Sequence, residues 1–169
     1  MIIREETADD VCGIRVVNKA SFDTNSEADL VDLLREKDKF ILSLVAEIEG
    51  QIVGHILFTT ASINYKDKSF EVAGLAPMAV LPKFQKKGIG KALVNRGLQL
   101  MHETDHEAVV VLGHPDYYPK FGFELASKHG ILYEHEVPDE AFMVLELKEN
   151  ALKNVNGLVK YQPEFNDLV

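Results

Sequence analysis

Apolar positions change their period several times along the chain, and each change marks a new element. Residues 2–5, with Ile2 and Ile3, read as a short opening strand. Over residues 8–20, Val11, Ile14 and Val17, joined by Val16, recur at helical spacing behind Asp9 and Asp10, whose charges suit a helix N-terminus. A polar break over 21–25 follows. Ser26 then stands where it can cap a second helix over 27–37, with Ala28, Leu30, Val31 and Leu34 as its apolar stripe. The pattern turns strand-like over 40–48 and 51–60, and Glu49-Gly50 between them is good hairpin chemistry. A polar turn at 65–68 leads into a strand over 71–80. Pro77 has no N–H to give a ladder, so that strand must bend or splay there. Helical spacing returns over 89–102 with Ala92, Leu93, Leu98 and Met101. The unbroken apolar run over 108–112 is the pattern of a buried strand of the kind found in parallel sheets. A Tyr- and Pro-rich loop or short helix covers 114–122, a late strand covers 142–147, and 158–161 adds a candidate edge strand. Early helices, a meander and a central strand–helix–strand unit make the fold class α/β (α+β), with a mixed sheet.

Composition narrows the picture. The chain has 169 residues, 46% of them hydrophobic and 27% charged, which suits one domain over 1–169, with a core over about 1–148 and a C-terminal extension over 149–169 packed on it. The 18 Lys and Arg residues against 27 Asp and Glu residues leave a net charge of −9. A generic nucleic-acid binder would be basic, so no nucleic-acid partner is expected, and any phosphate site must be local. No apolar run is long enough to span a bilayer, and Met1 to Glu6 shows no basic-then-apolar leader, so the expectation is a cytoplasmic protein without a membrane partner. The single cysteine, Cys12, excludes an intrachain disulfide and a multi-cysteine zinc cage.

One segment carries the chemistry. The strand ending Ala76-Pro77-Met78-Ala79-Val80 runs into Leu81-Pro82-Lys83-Phe84-Gln85-Lys86-Lys87-Gly88-Ile89-Gly90-Lys91, which opens the third helix. Gly88 and Gly90 permit positive φ and close approach of a ligand. The first-turn N–H groups of a helix lack partners and form a natural seat for a phosphate. Lys86, Lys87 and Lys91 add positive charge in an acidic chain. The segment is not a P-loop, because Gly90-Lys91 is followed by Ala92, nor a dinucleotide fingerprint, because Leu93 fills the third small position. The pattern Gln/Arg-x-x-Gly-x-Gly/Ala is met at Gln85, Gly88 and Gly90.

With those residues, and with Gly113-His114-Pro115-Asp116-Tyr117-Tyr118-Pro119-Lys120-Phe121-Gly122-Phe123 and the tail from Gly157 to Phe165, the chain resembles the GNAT-family N-acetyltransferases, more narrowly the small predicted acetyltransferases of the YhbS type. The resemblance covers most of the chain. It implies a mixed sheet that splays near 76–78, flanked by helices, with acetyl-CoA as cosubstrate in the opening. It implies that the backbone of Met78, Ala79 and Val80 meets the pantetheine arm, and that Gln85, Lys86, Lys87, Gly88, Ile89, Gly90 and Lys91 hold the pyrophosphate. Tyr118, four residues before Gly122-Phe123, stands where the family commonly keeps the proton donor to the departing thiolate, and Tyr117 is its alternate. The oxyanion would take a backbone N–H from Met78 or Ala79. His114 is a candidate proton shuttle. Glu71 and His55 are weaker candidates for the base. The implied reaction is transfer of acetyl from acetyl-CoA to a primary amine by direct attack in a ternary complex.

Two other readings stay open. One is an acyl-CoA-binding module without turnover. The other is a zinc metallohydrolase, since His102-Glu103-Thr104-Asp105-His106 matches H-E-x-x-H. Against the second, the pattern falls at a helix end, so no metal site is expected. The acceptor, a small amine or a peptide or protein amine, is not readable. Asp23, Glu27, Asp29 and Asp32 could attract a cationic amine or form a solvated helix face. Monomer and homodimer both remain open.

Overall fold

The computed structural model describes residues 1–168. Its elements run β1 (Ile2–Glu5), α1 (Val11–Ser21), α2 (Ser26–Glu36), β2 (Phe40–Ile48), β3 (Gln51–Tyr65), β4 (Lys68–Val80), α3 (Ile89–Met101), β5 (Ala108–Leu112), β6 (Glu124–Leu125), β7 (Ile131–Tyr133), β8 (Phe142–Glu146) and β9 (Gly157–Lys160), with short 3-10 turns between them. The strands form a mixed sheet whose hydrogen-bonded order is β1-β2-β3-β4-β5-β8-β6, with β9 on both β3 and β7. The chain divides into two compact units. The first holds Met1–Phe58, Ala76–Gln99 and the chain from Pro163 onward; the second holds Thr59–Leu75 and Leu100–Gln162.

In the first unit, β1 pairs antiparallel with β2. The hairpin turns through Glu49 and Gly50, both left-handed at φ 50 and 79, as a two-residue turn of this type requires. Gly54, Ile56 and Phe58 of β3 receive α3: a Cβ on Gly54 would lie 2.9 Å from Leu93 Cδ1, and one on Gly97 would lie 2.6 Å from the Phe58 ring. α1 lies against Ile52 through Gly13 and meets His55 through Asn18. The α1 stripe buries Ile14 and Val17, but the expected Val16 is 58% exposed; the fully buried Asn18 takes the inward position instead. Ser26 does not cap α2. It lies inside the helix, with Asn25 at the cap position, and its own N–H is held by Thr24 Oγ1 at 3.2 Å.

In the second unit, β5 is parallel to β4 and antiparallel to β8, and Ala73, Gly74 and Leu75 register with Val109, Val110 and Val111. That register ends at Leu75, one residue before the cis Ala76-Pro77 bond. The tail segment at 158–161 is β9, but it is not an edge: it pairs antiparallel with β3 and parallel with β7. Val159, Ile131, Val72, Val110 and Val144 share one core cluster.

Candidate active site

The glycine loop is shaped around the end of β4. The Leu81 N–H donates to the Val53 carbonyl at 2.9 Å, so Leu81 and Ala79 turn their main chain toward β3. Met78 and Val80 alternate with them and face the other edge. The Val80 carbonyl there is already doubly engaged, accepting from Ser21 Oγ at 2.9 Å and from Gln85 Nε2 at 3.0 Å. Ser21 Oγ also donates to the Val17 carbonyl at 2.8 Å. The Gln85 side chain thus fastens the loop to the strand that precedes it. Ser21 is a neighbour of the loop that the sequence does not reveal, because its contact lies 59 residues away and leaves no local signal.

Beyond Gln85 the backbone enters the left-handed region twice, at Lys86 (φ 61) and Gly88 (φ 86). A Cβ at Gly88 would meet nothing within 4 Å, so the space directly over it is open. The first helical bond of α3 runs from the Ala92 N–H to the Gly88 carbonyl at 3.0 Å. The amides of Ile89, Gly90 and Lys91 therefore begin the helix without helical acceptors and point out of its N-terminus. Lys87 Nζ lies 5.6 Å from the Phe84 ring centroid. This cradle fits a pyrophosphate: three outward amides, a helix dipole and lysines on the same loop.

In the second unit the loop after β5 builds a tyrosine seat. The His114 carbonyl accepts the Tyr117 and Tyr118 N–H groups at 3.1 and 3.4 Å, closing the turn, while its side chain is exposed. Tyr118 is buried, with its ring edge-on to Tyr117 (5.1 Å) and Phe123 (5.6 Å). Gly113 has to be glycine, because a Cβ there would overlap the Tyr118 ring. Burial, and then the neighbouring Tyr117, push the Tyr118 phenol well above its usual range. Tyr161 from the tail lies along Gly74 and donates its O–H to the Val110 carbonyl at 3.3 Å.

His55 is a fully buried core histidine: Nδ1 lies 3.2 Å from Asn18 Nδ2 and Nε2 lies 2.9 Å from Ser43 Oγ. Ser43 in turn donates to Glu6 in a very short contact, and Arg35 Nε reaches Glu6 at 2.7 Å. The carboxylate accepts from the serine, so the serine accepts from His55, which fixes the Nε2–H tautomer. Burial lowers the His55 pKa to about 4. Glu71 is exposed and lies 3.5 Å from His106 Nε2. His102 and His106 both follow the last residue of α3, so they do not share a helix face as the H-E-x-x-H geometry demands. Of the α2 acids, Asp29 and Asp32 are held by Arg15 at 2.7 and 2.6 Å, whereas Glu27 keeps a buried Oε2 without a hydrogen-bond partner.

Known proteins match this chain closely. The family model described as an acetyltransferase (GNAT) domain covers residues 3–126. The N-acetyltransferase YhbS of Escherichia coli is 39% identical over 98% of this chain and 99% of its own length. YjhQ of the same species is 40% identical over 78% of this chain and 74% of its own. The crystal structure of Escherichia coli YhbS in complex with CoA superposes with a TM-score of 0.91 at 37% identity, covering 98% of this chain and 91% of that one. A GNAT-family acetyltransferase from Brucella melitensis in complex with acetyl-CoA gives 0.80 at 32% identity, covering 98% and 97%. Relatives this similar from end to end, on a sheet of the expected kind, settle the kinship: the chain belongs to the GNAT acetyltransferase family.

Proposed function

We propose that the protein is an acetyl-CoA-dependent N-acyltransferase acting on a primary amine, by direct attack within a ternary complex. The observation that carries the reading is the start of α3. Its three outward amides, the left-handed Lys86 and Gly88, and the open space over Gly88 suit a pyrophosphate. When bound, acetyl-CoA supplies a thioester already activated for acyl transfer. Gln85 Nε2, through the Val80 carbonyl, holds the loop in register with β4. Met78 presents its N–H at the edge away from β3, which favours it over Ala79 as the donor to the oxyanion. The Val80 carbonyl is already occupied, so contact with the pantetheine arm falls chiefly on Met78.

In the reaction the amine nitrogen bonds to the thioester carbon, the carbon–sulfur bond breaks, and the sulfur leaves as thiolate. Tyr118 gives that sulfur a hydrogen bond. Its raised pKa exceeds that of a thiol, about 8.5, so Tyr118 keeps its own proton and the thiolate takes one from solvent. The proton lost by the amine passes to water, with the exposed His114 as shuttle.

The test is calorimetric titration with acetyl-CoA, with NAD as control. Micromolar binding is expected, and Gly88→Glu should abolish it, since the new side chain extends into space the ligand needs. Well-folded protein that does not bind acetyl-CoA would overturn the reading.

A further inference from the structure

The end of β4 carries more hydrogen bonding than the glycine loop alone requires. A carbonyl oxygen has two lone pairs to offer. At Val80 both directions are filled: Ser21 Oγ stands 2.9 Å from the oxygen and Gln85 Nε2 stands 3.0 Å from it. The two partners come from different parts of the chain. Gln85 belongs to the loop itself, whereas Ser21 is the last residue of α1. Ser21, Val80 and Gln85 all lie in the first unit, as does the start of α3. The Ser21 hydroxyl has one proton and two carbonyls that can take it, those of Val17 at 2.8 Å and of Val80. Whichever carbonyl takes the proton, the serine oxygen stays 2.9 Å from the Val80 oxygen and closes that direction to any other donor.

Val80 faces the edge of β4 turned away from β3, the same edge as Met78. The ladder with β5 ends at Leu75, before either residue is reached. A ligand with amide groups can pair with such an edge as a strand would, giving its N–H to a carbonyl and taking an N–H in return. The carbonyls of Met78 and Val80 lie two residues apart on that edge, about 6.6 Å along the strand. A ligand N–H that met the wrong one would displace the rest of the ligand by the same amount. The engaged Val80 carbonyl removes the choice. Gln85 by itself would leave one of its directions open, and the serine of α1 shuts it.

We propose that Ser21 is a positioning residue for the cosubstrate: by closing the second direction of the Val80 carbonyl it leaves Met78 as the acceptor for the amide arm of acetyl-CoA, and so fixes where along β4 the thioester lies. The inference rests on the acetyltransferase reading above. Ser21 acts through Val80 and not on the reacting atoms.

The test is calorimetric titration of CoA into the wild type, S21A and S21T, with 3′-phospho-ADP, the part of CoA that lacks the amide arm, titrated alongside. Alanine keeps the helix and opens the Val80 carbonyl, so the arm gains a second place to bind. S21A should therefore bind CoA about fivefold more tightly, the worth of one net hydrogen bond, and should bind 3′-phospho-ADP as the wild type does. S21T keeps the oxygen, which threonine can direct at the preceding helical turn, and should bind both ligands like the wild type. A serine that served only to anchor α1 would give the opposite sign, with S21A binding both ligands more weakly. That result would overturn the assignment. So would equal affinity of S21A and the wild type for CoA, a gain shared by 3′-phospho-ADP, or a folded S21T that behaves like S21A. In each of these cases the acetyltransferase reading stands as long as the wild type binds acetyl-CoA. If the folded wild type binds neither acetyl-CoA nor CoA, that reading fails and the Ser21 assignment with it.

Discussion

Tyr118 and His55 show how burial sets the chemistry of a single side chain in opposite ways. Burial disfavours the charged form of each. For Tyr118 that means a neutral phenol throughout the physiological range, suited to donating a hydrogen bond and unsuited to acting as a base. Tyr118→Phe should therefore lower kcat by about 10²-fold with little change in acetyl-CoA affinity, as single-turnover assays and titration would show. For His55 burial means a neutral imidazole down to pH about 4, well below its ordinary 6.5. Between those two values the unfolded chain takes up a proton that the folded chain refuses. The stabilisation is fully present above pH 6.5 and is lost as pH falls toward 4, to a total of roughly 3 kcal/mol. Urea midpoints followed from neutral pH down to about 4 should fall accordingly. His55→Gln should be less stable at neutral pH but show a shallower fall.

At the scale of elements, most of the fold was legible because the patterns were local. The bounds of β1, β2 and β5 follow directly from runs of apolar residues, and the start of α3 follows from the glycines before it. The same holds for the cradle, whose amides are supplied by the helix start itself. Elements governed by distant partners were less visible. β3 runs on to Tyr65, past the expected end at residue 60, because Ala61 and Ile63 alternate into the core while Ser62 and Asn64 meet β9. β6 and β7, of two and three residues, are too short for any period to register, and they exist through pairing with β8 and β9. At the candidate site, Gln85, Gly88 and Gly90 were legible as a motif. The second bond on Val80 from Ser21 and the overlap that keeps Gly113 bare were not, since both are tertiary facts.

At the scale of the whole molecule, the last twenty or so residues are integral to both units. In the second, Leu152 and Val159 are buried in the core and β9 fills the gap between β3 and β7. In the first, Glu164, only 8% exposed, accepts from Lys39 Nζ at 2.6 Å, and Phe165 is buried. Truncation after residue 148 would uncover two strand edges and remove apolar volume from each unit. The shortened chain should aggregate or lose its cooperative thermal transition, as scanning calorimetry and size-exclusion chromatography would reveal, whereas removal of Met1 alone, 62% exposed, should leave the transition in place.

The contact between Gly74 and Tyr161 also bears on descent. A Cβ on Gly74 would lie 2.8 Å from Tyr161 Cε2, so the tail ring occupies the volume that any larger residue in β4 would claim. Neither position can drift freely. Gly74→Ala alone should cost about 1–3 kcal/mol, and a smaller residue at 161 should recover part of that loss in a double-mutant cycle. Across a lineage the two positions should therefore be inherited as a pair, bulk gained at one being matched by bulk given up at the other.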